Sequence, residues 1–188
     1  MHKRLFVALD LPEDIRAHVG TLCSGLPRAR WVRPEQLHLT LSFLGEVHGS
    51  AFHDIRETLH GLTAPVLRLQ LDGLGFFPPR GNPRVIWVGI APNNALLQLQ
   101  KKIQTRLRQL GLDLETRKYS PHITIARLSN TPPVKVGQYM VMQGLFCSRA
   151  FDVNRFILYS SVLGRKGATH LVEQEYPLQD LTGLTVPP

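Results

Sequence analysis

Hydrophobic and polar residues alternate along two short stretches of the chain that share one four-residue pattern. Residues 38–41 read His-Leu-Thr-Leu, and residues 122–125 read His-Ile-Thr-Ile. Both stretches lie in apolar runs, at 37–44 and 122–128, whose pattern predicts β-strands. Because side chains alternate faces along a strand, each His shares a face with the Thr that follows, roughly 7 Å along the chain. Each strand is therefore predicted to present one imidazole and one hydroxyl on a single face.

The same pattern analysis predicts the other regular elements of the chain. Strand-like patterns cover the ranges 4–11, 66–74, 84–92, 152–162 and 170–176. Apolar residues at helical spacing predict three helices. The first contains Ile15, Val19 and Leu22, and the second contains Phe52, Ile55, Leu59 and Leu62. The third contains Leu96, Leu99, Ile103, Leu107 and Leu110. Asn93 or Asn94 is the expected N-cap of the third helix, and Gly111 is its expected end.

Loops are expected between these elements. A basic loop is predicted at 28–33, a turn opened by Gly45 and Gly49, a Pro/Gly-rich loop at 76–84 and a basic hairpin turn at 164–167. The region that begins at 131–133 has no clear pattern. The tail after Leu178 is expected to be loosely packed or disordered.

A second repeat surrounds the first. Residues 4–12 (RLFVALDLP) resemble residues 84–92 (RVIWVGIAP) at an offset of 80 residues, and the two His-x-Thr motifs are 84 residues apart. Strand, helix and His-x-Thr strand thus occur in the same order in both halves. We therefore predict an α+β fold in which residues 1–188 form a single domain of two similar lobes, with the helices outside.

The charge of the chain bears on its partners. Of 188 residues, 43% are hydrophobic and 19% charged, the formal net charge is +8, and the sequence pI is about 10.0. This balance is typical of a globular protein and favours a polyanionic partner, with nucleic acid ahead of an anionic membrane surface. General solubility is the alternative explanation, since the basic residues are scattered rather than clustered.

The location of the protein is predicted from what the sequence lacks. The apolar run at the start is interrupted by Asp10, which makes it too short for a signal-peptide core, and no later run reaches the length of a membrane span. Cys23 and Cys147 do not have the spacing of a zinc site or a disulfide framework. We expect a cytoplasmic, soluble protein, most simply a monomer.

Two His-x-Thr pairs on facing strands suit one kind of chemistry. One imidazole can accept a proton while the other donates one near neutral pH, and each such transfer is typically worth about 10²–10⁴-fold. The hydroxyls of Thr40 and Thr124 can donate to the oxygens of a phosphoryl group. The site therefore predicts in-line displacement at phosphorus without a metal, and a 2′,3′-cyclic phosphate on RNA is the obvious substrate.

Arg127 is a further candidate, with a condition attached to it. It lies five residues after His122, and this odd spacing places it on the opposite face of a regular strand. It reaches the site only if the strand bulges or ends by Ala126. His170 is a weaker candidate that would flank the cleft, while the remaining histidines lack a repeated context.

Other kinds of site are poorly supported. A zinc pair from His38 and His122 has no third ligand at metal spacing. The sequence has no GxxxxGK, GxGxxG, HExxH or GxSxG motif and no Lys-x-Asp-Gly of an ATP-dependent ligase. We therefore predict no cofactor and no metal.

These residues resemble a known family, the 2H phosphoesterases, and within it the RNA 2′,3′-cyclic phosphodiesterases, also called 2′-5′ RNA ligase-like proteins. The resemblance extends over RLFVALDLP, LHLTLSFLGEV, RVIWVGI, SPHITIAR and FILYSS, and so over nearly the whole chain. It implies a duplicated, bilobal fold with two antiparallel sheets, outer helices and a central cleft that holds both motifs.

The resemblance also implies a role for each residue. His38 would be the proton donor and His122 the proton acceptor, Thr40 and Thr124 would hold the phosphate, and Arg127 matches the family's HxTxxR pattern. The reaction would convert a 2′,3′-cyclic phosphate to a 2′-phosphomonoester. Reversible 2′-5′ RNA joining without ATP is an alternative activity, and a non-catalytic RNA- or nucleotide-binding module is the alternative of another class.

Several questions remain open in the sequence. The residues alone do not distinguish donor from acceptor. Four substrates suit the motif equally, namely a tRNA half, a small cyclic nucleotide, a 2′-5′ linkage and an ADP-ribose-type cyclic phosphate. Phe43, Phe77 and Tyr119 are candidates for stacking on a base, with core or rim packing as the alternative for each.

Overall fold

The protein is described by a computed structural model that covers residues 2–164 and 167–179. Its strands are β1 (His2–Asp10), β2 (Ala29–Trp31), β3 (His38–His48), β4 (Leu67–Leu69), β5 (Leu71–Phe77), β6 (Val85–Ile90), β7 (His122–Leu128), β8 (Phe151–Val153), β9 (Arg155–Gly164) and β10 (Gly167–Pro177). Its α-helices are α1 (Glu13–Gly20), α2 (Gly49–His60), α3 (Asn94–Gln109) and α4 (Pro133–Gln143), and a 3₁₀ turn spans Pro34–Gln36.

Two four-stranded antiparallel sheets form the frame of the fold. The first has the strand order β10-β9-β1-β3, and the second has the order β2-β7-β6-β5. A small two-stranded sheet of β4 and β8, which was not predicted, accompanies them. The α+β class and the two antiparallel sheets are confirmed.

The repeat seen in the sequence corresponds to a repeat in the pairing of strands. The strand β1 pairs antiparallel with β3, and β6 pairs antiparallel with β7. Each His-x-Thr strand therefore has the same kind of neighbour, namely the strand that opens its half of the chain. The helices α1 and α3 follow those opening strands directly.

The buried apolar residues of the described chain form a main cluster and a smaller one, which consists of Phe6, Ala8, Ile157 and Tyr159 of the first sheet. One continuous hydrophobic cluster takes in the inner residues of both sheets and the buried faces of the helices, for example Leu39, Ile123, Ile55 and Ile103. The third helix begins as predicted, because the side chain of Asn93 accepts a hydrogen bond from the backbone N–H of Leu96 at 2.9 Å. Most apolar helix positions expected from the periodicity are buried, but Leu110 at the end of the third helix is 40% exposed.

Several boundaries differ from the prediction. Gly45 does not open a turn, since β3 continues to His48 and Gly45 lies inside it with φ +72. The range 28–33 contains β2, the range 66–74 is divided into β4 and β5, and the range 152–162 is divided into β8 and β9. A short pattern does not show where a strand passes from one sheet to another.

The fourth helix was missed altogether. Val134, Val141 and Met142 of α4 are 71%, 85% and 78% exposed, so apolar residues occupy its outer face as well as its inner face. This distribution hides the amphipathic period that reveals other helices. Of the predicted turn at 164–167, Arg165 and Lys166 lie outside the described residues, as does the tail from residue 180. Leu178 itself is buried.

Candidate active site

The two motif histidines are oriented by equivalent hydrogen bonds. The Nδ1 of His38 donates to the backbone carbonyl of Gln36 at 2.7 Å, and the Nδ1 of His122 donates to the carbonyl of Ser120 at 2.8 Å. Because a carbonyl only accepts, Nδ1 must carry the proton in each ring. The Nε2 atoms are therefore the nitrogens left to exchange protons with a substrate.

The two motif strands share an irregularity as well. In β3 the residue Leu41 is passed over in the pairing with β1, which steps from Ser42 to Thr40. In β7 the residue Ile125 is passed over in the same way, between Ala126 and Thr124. Each motif threonine is thus followed by a β-bulge at the equivalent position, and a bulge re-aims the side chains beyond it.

The bulges change which residues share a face. Ile125 and Ala126 are consecutive and both 0% exposed, so alternation is interrupted there and Arg127 returns to the side of His122 and Thr124. The condition attached to Arg127 is met, since β7 bulges before reaching it. In β3 the equivalent position is occupied by Phe43, which is 64% exposed.

We call the side of each sheet that carries these residues the motif face. The two motif strands, β3 and β7, lie against each other. There the hydroxyl of Tyr119 donates to the carbonyl of Thr40 at 2.9 Å, which ties the chain just before the second motif to the first motif. Burial raises the pKa of the Tyr119 hydroxyl, so it remains protonated and able to donate this bond.

The surroundings of His38 favour its neutral form. Burial lowers the pKa of His38 from 6.5 to about 4, against the opposing effect of the Gln36 carbonyl. The charge of His170 lowers this pKa further, Asp10 raises it, and His122 lowers it. In the free protein at pH 7, His38 is therefore an uncharged imidazole.

A model of the 2′-5′ RNA ligase superfamily matches residues 11–165. The chain belongs to this superfamily. The RNA 2′,3′-cyclic phosphodiesterase of Archaeoglobus fulgidus is 32% identical to it over 167 residues, which is 87% of this chain and 94% of that protein. The enzyme of the same name from Thermus thermophilus is 33% identical over an alignment of 192 residues, which covers 94% of this chain and 90% of that protein.

Solved structures agree with the family. The protein TT0787 of Thermus thermophilus matches with a TM-score of 0.79 at 28% identity, covering 93% of this chain and 97% of that one. LigT of E. coli, in a complex with 3′-AMP, matches with a TM-score of 0.78 at 26% identity, covering 95% and 99%. The predicted 2H phosphoesterase fold is thereby confirmed for this member of the superfamily.

In this superfamily member an aromatic pair surrounds the second histidine. The ring centroid of His122 is 5.0 Å from that of Phe77, at 82°, and 6.0 Å from that of Trp87. Trp87 pairs across the strands with Gly75, where a Cβ would come within 2.1 Å of indole Cζ2. Only glycine at residue 75 leaves room for the indole that supports His122.

Gly75→Ala is expected to lower the free energy of unfolding by about 1–3 kcal/mol, because the added methyl overpacks the site of the indole. It is also expected to lower the catalytic rate by shifting Trp87 against His122. Urea denaturation and steady-state kinetics measure the two effects. Gly137→Ala is the matched control, since a Cβ there meets nothing within 4 Å and alanine stabilises a helix by about 0.5–1 kcal/mol. Equal stability of the two variants would contradict this packing.

The three aromatic candidates for base stacking are now distinguished. Tyr119 is occupied by its bond to Thr40. Phe77 packs against Trp87 at 5.3 Å and against His122. The side chain of Phe43 is mostly exposed to solvent, and its ring centroid lies 6.0 Å from that of Phe6. Of the three side chains, that of Phe43 is the most exposed.

Residues near His38 were missed or undervalued in the sequence. Asp10 is the cross-strand partner of His38 and accepts a hydrogen bond from the hydroxyl of Tyr159 at 2.5 Å. The ring centroid of His170 is 5.1 Å from that of His38. No local signal joins these residues, since they come from β1, β9 and β10, and only the sheet order brings them together.

Metal and membrane features are missing from the described ranges 2–164 and 167–179. No group of three His, Cys, Asp or Glu residues there is placed to hold a metal ion. No helix there has both the length and the apolar character needed to cross a membrane. A cavity of about 530 Å³ lies beside α3, lined among others by Lys101, Lys102 and Arg106, but none of its lining residues belongs to β3 or β7.

Proposed function

We propose that this protein hydrolyses RNA 2′,3′-cyclic phosphate ends to 2′-phosphomonoesters, without a metal or cofactor, by general acid–base catalysis. The observation that carries the proposal is the repeated placement of His38 and His122, each with Nδ1 donating to a carbonyl two residues upstream. Relatives named RNA 2′,3′-cyclic phosphodiesterase, similar over nearly the whole chain, support the substrate class.

The proposed step moves two protons between the histidines and the substrate. A water oxygen attacks phosphorus as His122 Nε2 takes a proton from that water. The bond from phosphorus to the 3′ oxygen breaks, and the Nε2–H of His38 gives its proton to that oxygen. The product carries a 2′-phosphomonoester and a free 3′-hydroxyl, and exchange with water restores both histidines.

The phosphate is held by neutral and charged donors in this proposal. The hydroxyls of Thr40 and Thr124 donate to the non-bridging oxygens, and Arg127 neutralises the charge that develops on them. Support for Arg127 comes from the bulge at Ile125, which returns it to the motif face. Such preorganised donors stabilise the transition state more than the ground state.

The donor role of His38 requires that substrate binding change its protonation. With a pKa of about 4 in the free protein, His38 holds little charge at pH 7. The negative charge of a bound cyclic phosphate stabilises the imidazolium and so raises this pKa. Protonation of His38 is thus coupled to binding of the cyclic phosphate substrate.

Ligation is the second candidate function. The superfamily carries the name of the 2′-5′ RNA ligases. A ribose hydroxyl that attacks the cyclic phosphate in place of water would use the same two proton transfers and give a 2′-5′ linkage without ATP. A non-catalytic RNA-binding module is the rival of another class. It predicts salt-dependent binding without turnover.

An assay of cyclic-phosphate substrates tests the proposal. We expect turnover of a 2′,3′-cyclic-phosphate oligonucleotide, a tRNA half and a cyclic mononucleotide, unchanged by EDTA, with the product phosphate at the 2′ position by ³¹P NMR. An ADP-ribose-type cyclic phosphate and a 2′-5′ dinucleotide complete the panel. A requirement for metal, a 3′-phosphate product, or binding without turnover would each contradict the proposal.

We also propose that the chain acts as a monomer and that residues 1–188 form one domain of two pseudo-symmetric lobes. The closely similar order of buried and exposed residues along the first six positions of β3 and β7 supports the second statement. So does the hydrophobic cluster that joins residues of both sheets.

A further inference from the structure

The last strand of the first sheet reaches His38 through two separate contacts. The side-chain amide of Gln36 donates to the backbone carbonyl of Ala168 in β10. The backbone carbonyl of Gln36 in turn accepts the Nδ1–H of His38 at 2.7 Å. The residue that orients the imidazole is therefore itself tethered to β10.

The second contact comes two residues further along β10. The ring of His170 meets that of His38 edge-on, with centroids 5.1 Å apart and planes at 82°. His170 also meets the edge of Phe6, at 4.9 Å and 72°, and Phe6 stacks on Tyr159 at 5.2 Å. Phe6 and the half-buried His170 therefore both pack against the ring of His38.

The second motif has no such arrangement in the described part of the chain. The rings that contact His122 are those of Phe77 and Trp87, neither of which titrates. Ser120, which accepts from His122, has no side-chain hydrogen bond to a neighbouring strand among the described residues. The two halves of the site are thus alike in their motifs and different in what supports them.

We propose that Gln36 and His170 are positioning residues through which β10 orients His38 and shields it from water. The proposal rests on the function proposed above, in which the Nε2 of His38 must point at the leaving oxygen. Neither residue touches the reacting atoms. A rotation of the His38 ring moves Nε2 away from the direction of the leaving oxygen. A misplacement of about 1 Å can cost as much as 10²-fold in rate.

The ionisable groups around His38 define the expected pH effects. Asp10 faces it from β1, His170 from β10 and His122 from β7, and Tyr159 from β9 is engaged with Asp10. Burial lowers the pKa of His170 below its usual 6.5. A charged His170 opposes the protonation of His38, whose pKa burial lowers to about 4.

Two variants test the proposal. Gln36→Leu removes the tether but keeps the backbone carbonyl, and His170→Phe keeps an aromatic ring but removes the charge. Each is expected to lower kcat on a cyclic mononucleotide by about tenfold, with KM changed less than about twofold. Each is also expected to raise the pKa of His38, the first by admitting water and the second by removing a like charge.

The pKa of His38 is measured directly by NMR titration of its imidazole. This readout does not depend on turnover, so it separates failure of this proposal from failure of the proposed function. Exposed residues outside the site supply the matched controls Gln109→Leu and His60→Phe, which should leave rate and titration unchanged. If Gln36→Leu does not fold, Gln36→Asn, whose amide is too short to reach Ala168, replaces it. A His38 titration that stays at its wild-type value in both test variants would overturn the proposal.

Discussion

Replacing His122 by alanine is expected to lower kcat on a 2′,3′-cyclic-phosphate oligonucleotide by about 10²–10⁴-fold, the usual value of one positioned proton transfer. The Nδ1 of His122 is held by the Ser120 carbonyl, so its Nε2 is the nitrogen that is proposed to take the proton from water. The Thr and Arg residues that are proposed to bind phosphate remain in the variant. KM should therefore change much less than kcat, because the lost contact is made mainly in the transition state.

The matched control for this variant is His53→Ala. His53 is an exposed histidine of α2, outside both motifs, and its replacement should leave kcat unchanged. Thermal unfolding of both variants checks that each keeps its fold. A His122→Ala enzyme that works at nearly the wild-type rate would refute the two-histidine mechanism, whatever the position of the product phosphate.

Replacing His38 by alanine is expected to be as costly on the natural substrate, about 10²–10⁴-fold in kcat, and to be rescued by a better leaving group. In a cyclic substrate with sulfur at the 3′ position, the leaving thiolate does not need a proton. His38→Ala should then approach the wild-type rate on this substrate, whereas His122→Ala should remain slow because water still needs its base. Rescue of His122→Ala and not of His38→Ala by the sulfur substrate would instead assign His122 as the proton donor and His38 as the proton acceptor.

The pH dependence of the wild-type enzyme tests the same assignment. The profile of kcat/KM reports the free protein and that of kcat reports the complex. The limb that belongs to His38 should lie near pH 4 in kcat/KM and move to higher pH in kcat, since the bound anion raises the pKa of His38. A limb that stays near pH 4 in both profiles would mean that the charge of the bound substrate does not change the pKa of His38.

Much of the site was predictable because its signal is local. A His-x-Thr pair needs only strand alternation to place both side chains on one face, and β3 and β7 both have this alternation. The repeated order of elements in the sequence is matched in the structure by equivalent pairing partners, β1 for β3 and β6 for β7. The roles of donor and acceptor were not predictable from spacing, since the motifs are identical in pattern.

Other features depend on residues that are distant in sequence. The position of Arg127 depends on the bulge at Ile125, and a bulge is defined by how one strand pairs with another. The contact of His170 with His38 depends on β9 and β1 lying between β10 and β3. The helix α4 escaped prediction because apolar residues on its exposed face removed the period by which a helix is recognised in a sequence.

The sequence by itself determined that the protein has two equivalent strands, each with an imidazole and a hydroxyl on one face. Alternation and repetition are properties of neighbouring residues, and they do not need a fold to be visible. Only the tertiary structure decided that His38 is half-buried, that β10 contacts it through His170 and bonds to Gln36, and that His122 has aromatic neighbours instead. Burial and electrostatic surroundings are sums over distant segments, so two like motifs acquire unlike properties only when the chain has folded.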